Sequence, residues 1–452
     1  MRRLLQISFI LVGVLFFSSL HAEPSFVNEF DSLEFPKLKN PDVTVEVLQN
    51  GMTCYLIEDN TLPIVKMQLI NKTGSIYEQN DKLGLAQLTG MLMRSGGAAK
   101  RGPEEFDEAV DNIGAILGSA IGREKGSWTL AVLSEDLDRG MELLTDMVFR
   151  PNFDEKRLEA ARLKLAESLR RQFDDPNTKA SILYTQMIYG KNSPWARRPD
   201  PKKLPSITKN DIQEFHKRYF KTNNMIFTAA GNFKTKKLLK ALKNYMKGSS
   251  EGEIEFPKIP ATEQQFKAKV EKIVGPKSQS YVRMGHLGVK RHNPDWFSIY
   301  ILSRVFGAGN FKSRLMEDIR TKRGLAYSVW GRIAQGTDYG LFTVGMSTGV
   351  ENAEKAIDLV QGHVDRLAEG KDVTTEEVEF AKRGVLSTAI FELDSPFKIV
   401  NDRAKFHFYG YPSNYWLVAY DGVAAVSKDD VNRAAEKYMH PDRMNVLILG
   451  PK

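Results

Sequence analysis

The seven histidines and the single cysteine are the residues from which a zinc site could be built. Two imidazoles on one helical face need a separation of four residues, and no pair of histidines has that spacing. A site gathered from scattered residues would lack any recognisable sequence pattern. The sequence therefore predicts no metal site within this chain, whose histidines are His21, His216, His286, His292, His363, His407 and His440.

Residues 84–97, Gly-Leu-Ala-Gln-Leu-Thr-Gly-Met-Leu-Met-Arg-Ser-Gly-Gly, are predicted to form a helix. Leu85, Leu88, Met91 and Leu92 recur at three- and four-residue spacing, which gives the helix one apolar face. The two closing glycines predict a left-handed C-terminal cap. Taken alone, this segment indicates an ordinary amphipathic core helix with no chemistry of its own.

The order of residues in this helix resembles the catalytic helix Gly-Leu-Ala-His-x-x-Glu-His-Met-Leu of the pitrilysin/insulinase family of zinc peptidases. In that family, the two histidines bind zinc and the glutamate acts as base on the metal-bound water. The matching positions here are Gln87, Gly90 and Met91. An amide is a poor zinc ligand, glycine has no side chain, and a thioether suits softer metals. The resemblance therefore implies a first domain with a degenerate zinc motif and no cofactor.

The family's third zinc ligand is a glutamate on the helix before an Asp-Asp-Pro stop, which here is Asp174-Asp175-Pro176. Glu159 and Glu167 lie on that predicted helix. Without two histidines to complete a site, we expect both carboxylates to be solvated.

The most specific part of the resemblance is Ser-Arg-Leu-Met-Glu-Asp-Ile-Arg-Thr-Lys-Arg-Gly-Leu-Ala-Tyr-Ser-Val at residues 313–329. In the family, an arginine and a tyrosine seven residues later lie in the second domain and reach the substrate backbone and the developing oxyanion. Arg320 and Tyr327 have this spacing. A guanidinium offers rigid paired donors, and a phenol can donate to an oxyanion. The structural alternative is a surface arginine at a helix end and a half-buried strand tyrosine.

The remaining pattern predicts alternating strands and helices in two copies. Strands are predicted at residues 42–49, 52–58, 63–71, 127–133 and 224–230, and further helices at 106–114, 137–149, 154–173 and 208–220. Residues 207–219 match 426–438, Gly231 matches Gly450, and Asp174-Asp175-Pro176 matches Asp394-Ser395-Pro396. The predicted fold is α+β: two homologous domains, each a mixed or antiparallel sheet covered by helices, forming half of a clamshell.

The predicted domain boundaries follow from composition. Residues 1–22 have a basic start, an apolar run and a small residue at their end, which predicts a cleaved signal peptide rather than a membrane anchor. Residues 23–246 form the first domain, 247–265 a polar linker, and 266–452 the second domain. The mature protein is expected to be exported, to the periplasm if the source has two membranes. Cys54 lies in a predicted strand and is expected to be a buried structural thiol.

The formal net charge is +8, and the signal removes Arg2 and Arg3. The basic clusters at residues 197–203 and 234–247 are expected to be solvated surfaces. No nucleic-acid motif accompanies them.

The resemblance implies a noncatalytic, substrate-binding subunit of an exported heterodimeric zinc peptidase. A homologous partner subunit would hold the zinc and the base, and this chain would contribute Arg320 and Tyr327 around an unfolded peptide. Two alternatives stay open: a stand-alone peptide-binding or chaperone-like homodimer, and a purely structural subunit.

Overall fold

The computed structural model describes residues 37–263, 267–276, 278–309 and 311–451, which are organised around two mixed sheets. The strands are β1 (Thr44–Val47), β2 (Thr53–Glu58), β3 (Ile64–Lys72), β4 (Ile116–Ile121), β5 (Lys125–Leu133), β6 (Met225–Gly231), β7 (Val270–Val274), β8 (Ser280–Leu287), β9 (Val289–Lys290), β10 (Ala326–Ile333), β11 (Gln335–Gly336), β12 (Leu341–Thr348) and β13 (Asn445–Gly450). The short strands β9 and β11 pair with each other in parallel, apart from the main sheets.

The α-helices cover these sheets. They are α1 (Leu85–Ser95), α2 (Pro103–Asp111), α3 (Leu137–Phe149), α4 (Glu155–Arg171), α5 (Pro176–Tyr189), α6 (Lys209–Tyr219), α7 (Thr235–Tyr245), α8 (Trp296–Ser303), α9 (Ala353–Ala368), α10 (Thr375–Leu386), α11 (Pro396–Tyr409), α12 (Tyr415–Ala424) and α13 (Lys428–Tyr438). The predicted α+β class, with helix-covered mixed sheets, is confirmed.

The two sheets repeat one plan. The first has the order β1-β2-β6-β3-β5-β4, and the second has the order β10-β12-β8-β13-β7. In the first sheet, the closing strand β6 pairs in parallel with β2 and antiparallel with β3; in the second, the closing strand β13 pairs in parallel with β7 and antiparallel with β8. The edge strands β4 and β10 therefore occupy equivalent places.

Local sequence signals explain most of these elements. Asn50-Gly51 turns the chain between β1 and β2, and Gly51 has the positive φ of 80° that such turns require. Thr208 and Ser427 cap α6 and α13 through matching capping boxes. The predicted helix at 106–114 begins earlier, at Pro103, because proline and two glutamates favour a first turn.

Each half has its own core on one face of its sheet. In β2, Cys54 and Leu56 are fully buried in the first core, as predicted for the thiol. Burial in apolar surroundings raises the pKa of Cys54 to about 12. The alternate residue Tyr55 points to the opposite face of the sheet, where a different layer covers it.

That opposite layer consists of helices exchanged between the halves. Helix α11, from the second half, packs on β2 and β6 of the first sheet through Val400 and Ala404. Helix α5, from the first half, packs on β8 and β13 of the second sheet through Ala180 and Tyr184. The exchange was not anticipated from the sequence, although Asp174-Asp175-Pro176 and Asp394-Ser395-Pro396 mark the starts of the two helices.

Hydrogen bonds fix both exchanged helices. The Tyr184 hydroxyl donates to the Phe342 carbonyl at 2.8 Å, in full burial. On the first sheet, Thr228 Oγ1 donates to Asn401 Oδ1 at 2.7 Å. These bonds join the halves through groups that would be costly to leave unpaired.

The predicted signal peptide lies outside the described residues. Within the part of the chain that is described, no helix combines the length and apolar character needed to cross a bilayer. Residues 246–263, which follow α7, contain no helix or strand, and the Phe256 ring packs 5.1 Å from the Tyr77 ring.

Candidate functional site

Helix α1 carries the degenerate motif, and it is held by a buried carboxylate at its N-terminus. Gly84 is the N-cap, with a left-handed φ of 103° and no side chain that could cap the helix. Glu78 substitutes for a cap, since it accepts hydrogen bonds from the backbone N–H groups of Gly84 (3.2 Å) and Ala86 (2.7 Å). Burial raises the pKa of Glu78 to about 7, against the lowering effect of these bonds.

Gly90 is the point at which α1 touches strand β4. A Cβ at this position would lie 2.8 Å from the backbone nitrogen of Ile121 and 3.3 Å from the Ala120 carbonyl carbon. The Gly90 carbonyl accepts a hydrogen bond from Ser119 Oγ at 2.7 Å. The β4 backbone therefore occupies the space that a glutamate side chain would need.

The second half contains a similar close contact. A Cβ on Gly307, in the π-helical segment Arg304–Ala308 that continues α8, would lie 2.4 Å from the Gly331 nitrogen of β10. In both halves, glycine thus allows a helix to lie directly against the edge strand.

Gln87 and Met91 do not assemble a metal site either. Gln87 Oε1 is buried and has no hydrogen-bond partner among the described residues. Met91 is partly buried against the first core, as expected for a residue of the apolar face. No group of three or more potential metal-ligating side chains occurs in the described ranges.

The two candidate glutamates on α4 are engaged elsewhere. Glu159 is exposed and pairs with Arg162. Glu167 accepts hydrogen bonds from Arg170 (2.9 Å) and Arg171 (2.6 Å), which lower the pKa of its carboxyl to about 2. Both carboxylates face solvent, although Arg162, the partner of Glu159, is itself buried.

Arg320 and Tyr327 are both exposed on the second half. Arg320 lies in the π-helical segment Met316–Lys322, with its guanidinium 5.3 Å from the centre of the Phe311 ring. Tyr327 is 63% exposed on β10. The register of β10 against β12 shifts between Ala326 and Ser328, so Tyr327 is the extra residue of a β-bulge. Bulges redirect a side chain and are common beside active sites.

The structure keeps the two predicted sets of residues apart. Among the described residues, no hydrogen bond, ion pair or ring contact joins Gln87, Gly90 or Met91 to Arg320 or Tyr327. Each set lies beside the edge strand of its own sheet, α1 against β4 and Tyr327 on β10. Two side chains each capable of donating hydrogen bonds on an exposed edge can contact an extended peptide, but they supply neither base nor metal.

A polar cavity of about 450 Å³, which the sequence did not predict, lies beside α1 and is lined by residues that include Glu78, Gln87, Arg123, Asn177, Arg197 and Arg198. The prediction that residues 197–203 form a solvated surface is wrong for Arg197 and Arg198, which are half-buried. Arg197 is drawn inward because it donates to the backbone carbonyls of Ser75 (2.8 Å) and Glu78 (2.7 Å). A glutamate before an uncapped glycine could have signalled the role of Glu78.

Two models of one peptidase family match most of the described chain. The model described as Insulinase (Peptidase family M16) matches residues 54–189, and the one described as Peptidase M16 inactive domain matches residues 206–385. The chain belongs to this family, as its motifs suggested.

Curated relatives extend over most of the chain at low identity. An uncharacterized zinc protease YmxG of Bacillus subtilis is 24% identical over 353 residues, covering 77% of this chain and 83% of the relative. A non-peptidase homolog YmxG of Helicobacter pylori is 24% identical over 413 residues, covering 90% and 94%. The mouse mitochondrial-processing peptidase subunit beta is 23% identical over 430 residues, covering 92% and 86%.

A solved structure has the same fold. The peptidase M16 inactive domain from Pseudomonas fluorescens superposes with a TM-score of 0.82 at 24% identity, covering 91% of this chain and 98% of that one.

The residues at the motif positions do not fit the zinc ion that the family implies. Gly90 offers no side chain and no room for one, and the Gln87 amide is a single weak donor to a metal. No catalytic step through zinc can be assigned to this chain.

Proposed function

We propose that this chain is the noncatalytic, substrate-binding subunit of an exported heterodimeric zinc peptidase. A homologous partner subunit holds zinc and base, and this chain contributes Arg320 and Tyr327. One observation carries the proposal: the β4 backbone fills the base position at Gly90, while the two substrate-directed side chains project into solvent.

The names of two relatives support this division of labour. The Helicobacter pylori relative is called a non-peptidase homolog, and the mouse relative is one subunit of a processing peptidase. The description of the model matched by residues 206–385 as an inactive domain agrees with a chain that does not cleave peptides by itself.

The roles of the two side chains follow from their chemistry. The Tyr327 hydroxyl donates a hydrogen bond to the oxygen of the scissile carbonyl as negative charge develops there. Arg320 donates to a neighbouring peptide carbonyl and orients the substrate in the ground state as well. Zinc bound in the partner supplies Lewis-acid chemistry and an activated water.

Turnover by the assembled heterodimer tests the proposal. Tyr327→Phe removes one exposed hydroxyl and leaves the ring, so folding and association stay intact. It should lower turnover roughly 100-fold, the usual scale for one oxyanion donor. Arg320→Ala should also raise KM, because the guanidinium contacts bound substrate before the transition state. The measurement is turnover per complex, with the amount of complex determined by size-exclusion chromatography.

Tyr420→Phe is the matched control, since it removes a partly exposed hydroxyl from α12 in the same half. It should leave turnover unchanged. If Tyr327→Phe and Arg320→Ala also left turnover unchanged, the proposal would be contradicted, and a purely structural role for the chain would be favoured.

A further inference from the structure

The cavity beside α1 is rich in arginine. Arg123, Arg197 and Arg198 line it, and in the described part of the chain none of the three lies within ion-pair distance of a carboxylate. Arg123 is exposed, and Arg198 donates to Gln172 Oε1 at 2.8 Å. Burial lowers the pKa of Arg198, because no acidic neighbour offsets the loss of water.

A fourth arginine lies behind the cavity wall. Arg283 on β8 is only 2% exposed, and it donates to Asn177 Oδ1 and to Ser181 Oγ, both on α5. Asn177 and Ser181 also line the cavity. The guanidinium forms no ion pair among the described residues, although its charge interacts at longer range with that of Asp175.

The N-terminus of α5 faces the same space. Asn177 and Thr178, from the first turn of this 14-residue helix, line the cavity, and the partial positive charge of the helix end adds to that of the arginines. Asp175 partly offsets this charge, since it caps the helix by accepting a hydrogen bond from the Thr178 N–H at 2.8 Å.

Among the described residues, Glu78 contributes the only carboxyl group that lines the cavity itself. It faces α1 and accepts bonds from two backbone N–H groups. Three lining arginines and one buried arginine therefore outnumber the acidic groups, Glu78 and Asp175. The cavity is electropositive.

We propose that this cavity, beside the degenerate motif residue Gln87, binds the carboxylate of an acidic peptide segment. The inference rests on the proposed peptide-binding function. Arginine recognises carboxylates through paired donors, and Arg123 and Arg198 stand at the cavity without acidic partners. The volume exceeds that of a single carboxylate, and hydroxyls such as those of Ser75 and Thr178 can bond the adjoining peptide backbone.

The test uses the full mature chain and two fluorescein-labelled, C-terminally amidated heptapeptides. One alternates glycine with glutamate, and the other alternates glycine with glutamine. Fluorescence anisotropy at low salt should show that the glutamate peptide binds at least about tenfold more tightly than the glutamine peptide. Arg123→Gln and Arg198→Gln should each weaken that binding about tenfold and leave the glutamine peptide unaffected. Rising salt should reduce the difference.

Arg433→Gln on α13 is the control, because its side chain is 67% exposed and pairs only with Asp430 in the described residues. It should bind both peptides as the wild type does. Equal affinity for the two peptides, or unchanged affinity in both cavity variants, would overturn the assignment. Inorganic phosphate that binds as tightly as the glutamate peptide would overturn the peptide part of it.

Failure of the cavity assignment and failure of the proposed function would give different results. If the cavity assignment alone is wrong, Tyr327→Phe still lowers turnover of the heterodimer. If the subunit role alone is wrong, the cavity variants still lose the preference for glutamate.

Discussion

Gly90→Ala tests whether α1 lies too close to β4 to leave room for a side chain at position 90. In an open helix interior, glycine to alanine stabilises a protein by about 1 kcal/mol, through higher helix propensity. At Gly90 the added Cβ would lie 2.8 Å from the Ile121 nitrogen. Ordinary contact begins near 3.4 Å, so the helix and strand must separate by more than half an ångström.

Two costs follow from that separation. Overpacking of a buried contact costs about 1–3 kcal/mol. The hydrogen bond from Ser119 Oγ to the Gly90 carbonyl, now 2.7 Å, is stretched as well, at a cost of about 1 kcal/mol. Against the gain in propensity, we expect Gly90→Ala to lower the free energy of unfolding by about 1–3 kcal/mol.

Gly384→Ala is the matched control. Gly384 lies in α10, and nothing occurs within 4 Å of a Cβ added there. The substitution should raise the free energy of unfolding by about 1 kcal/mol, so the two variants should shift in opposite directions. Urea unfolding followed by circular dichroism measures both shifts. Stabilisation by Gly90→Ala, equal to that by Gly384→Ala, would refute the claim that β4 fills the base position.

Three further predictions concern zinc binding, the titration of Glu78 and export. The purified chain should bind no stoichiometric zinc and cleave no peptide, and combining Gln87→His, Gly90→Glu and Met91→His should give well under one zinc per chain by elemental analysis, because the glutamate has no room. The contribution of Glu78 to the free energy of unfolding should fall as pH rises from about 4.5 to about 7, because folded Glu78 keeps its proton up to about pH 7 while the unfolded carboxyl releases it near its ordinary value. Buried His216 and His286, whose pKa values are lowered to about 4, act in the opposite direction, so the measurement is the difference in urea midpoint between the wild type and Glu78→Gln at pH 5 to 8. A difference that does not change with pH would exclude this role of Glu78. N-terminal sequencing of exported protein should begin at or near Glu23, and an intact Met1 would argue against signal cleavage.

The fold class and the degenerate motif could be predicted because they depend on local patterns. Alternation in β2, the Asn50-Gly51 turn and the capping residues Thr208 and Ser427 act within a few residues of themselves. Strand β4 was missed because Gly118, Ser119 and Ala120 lack the β-branched and aromatic residues that identify strands.

The cavity was not predictable for a different reason. In the sequence, Arg197 and Arg198 belong to the same basic cluster as the exposed lysines at positions 202 and 203, and nothing local distinguishes them. Arg197 turns inward because the carbonyls of Ser75 and Glu78, more than 110 positions away, accept its hydrogen bonds, and Arg198 turns inward because it donates to Gln172 Oε1. Only the folded chain brings those groups together.

The exchanged helices give the molecule the connectivity of a domain swap completed within one polypeptide. A protease cut in the exposed stretch at residues 251–253 would leave α5 on the second sheet and α11 on the first. The two fragments would stay associated, held by buried bonds such as that from Tyr184 to Phe342. Neither half would keep its outer layer if expressed alone, so deletion variants that stop between the halves should aggregate. Any motion that separates the two halves of this chain would have to break both sets of exchanged contacts.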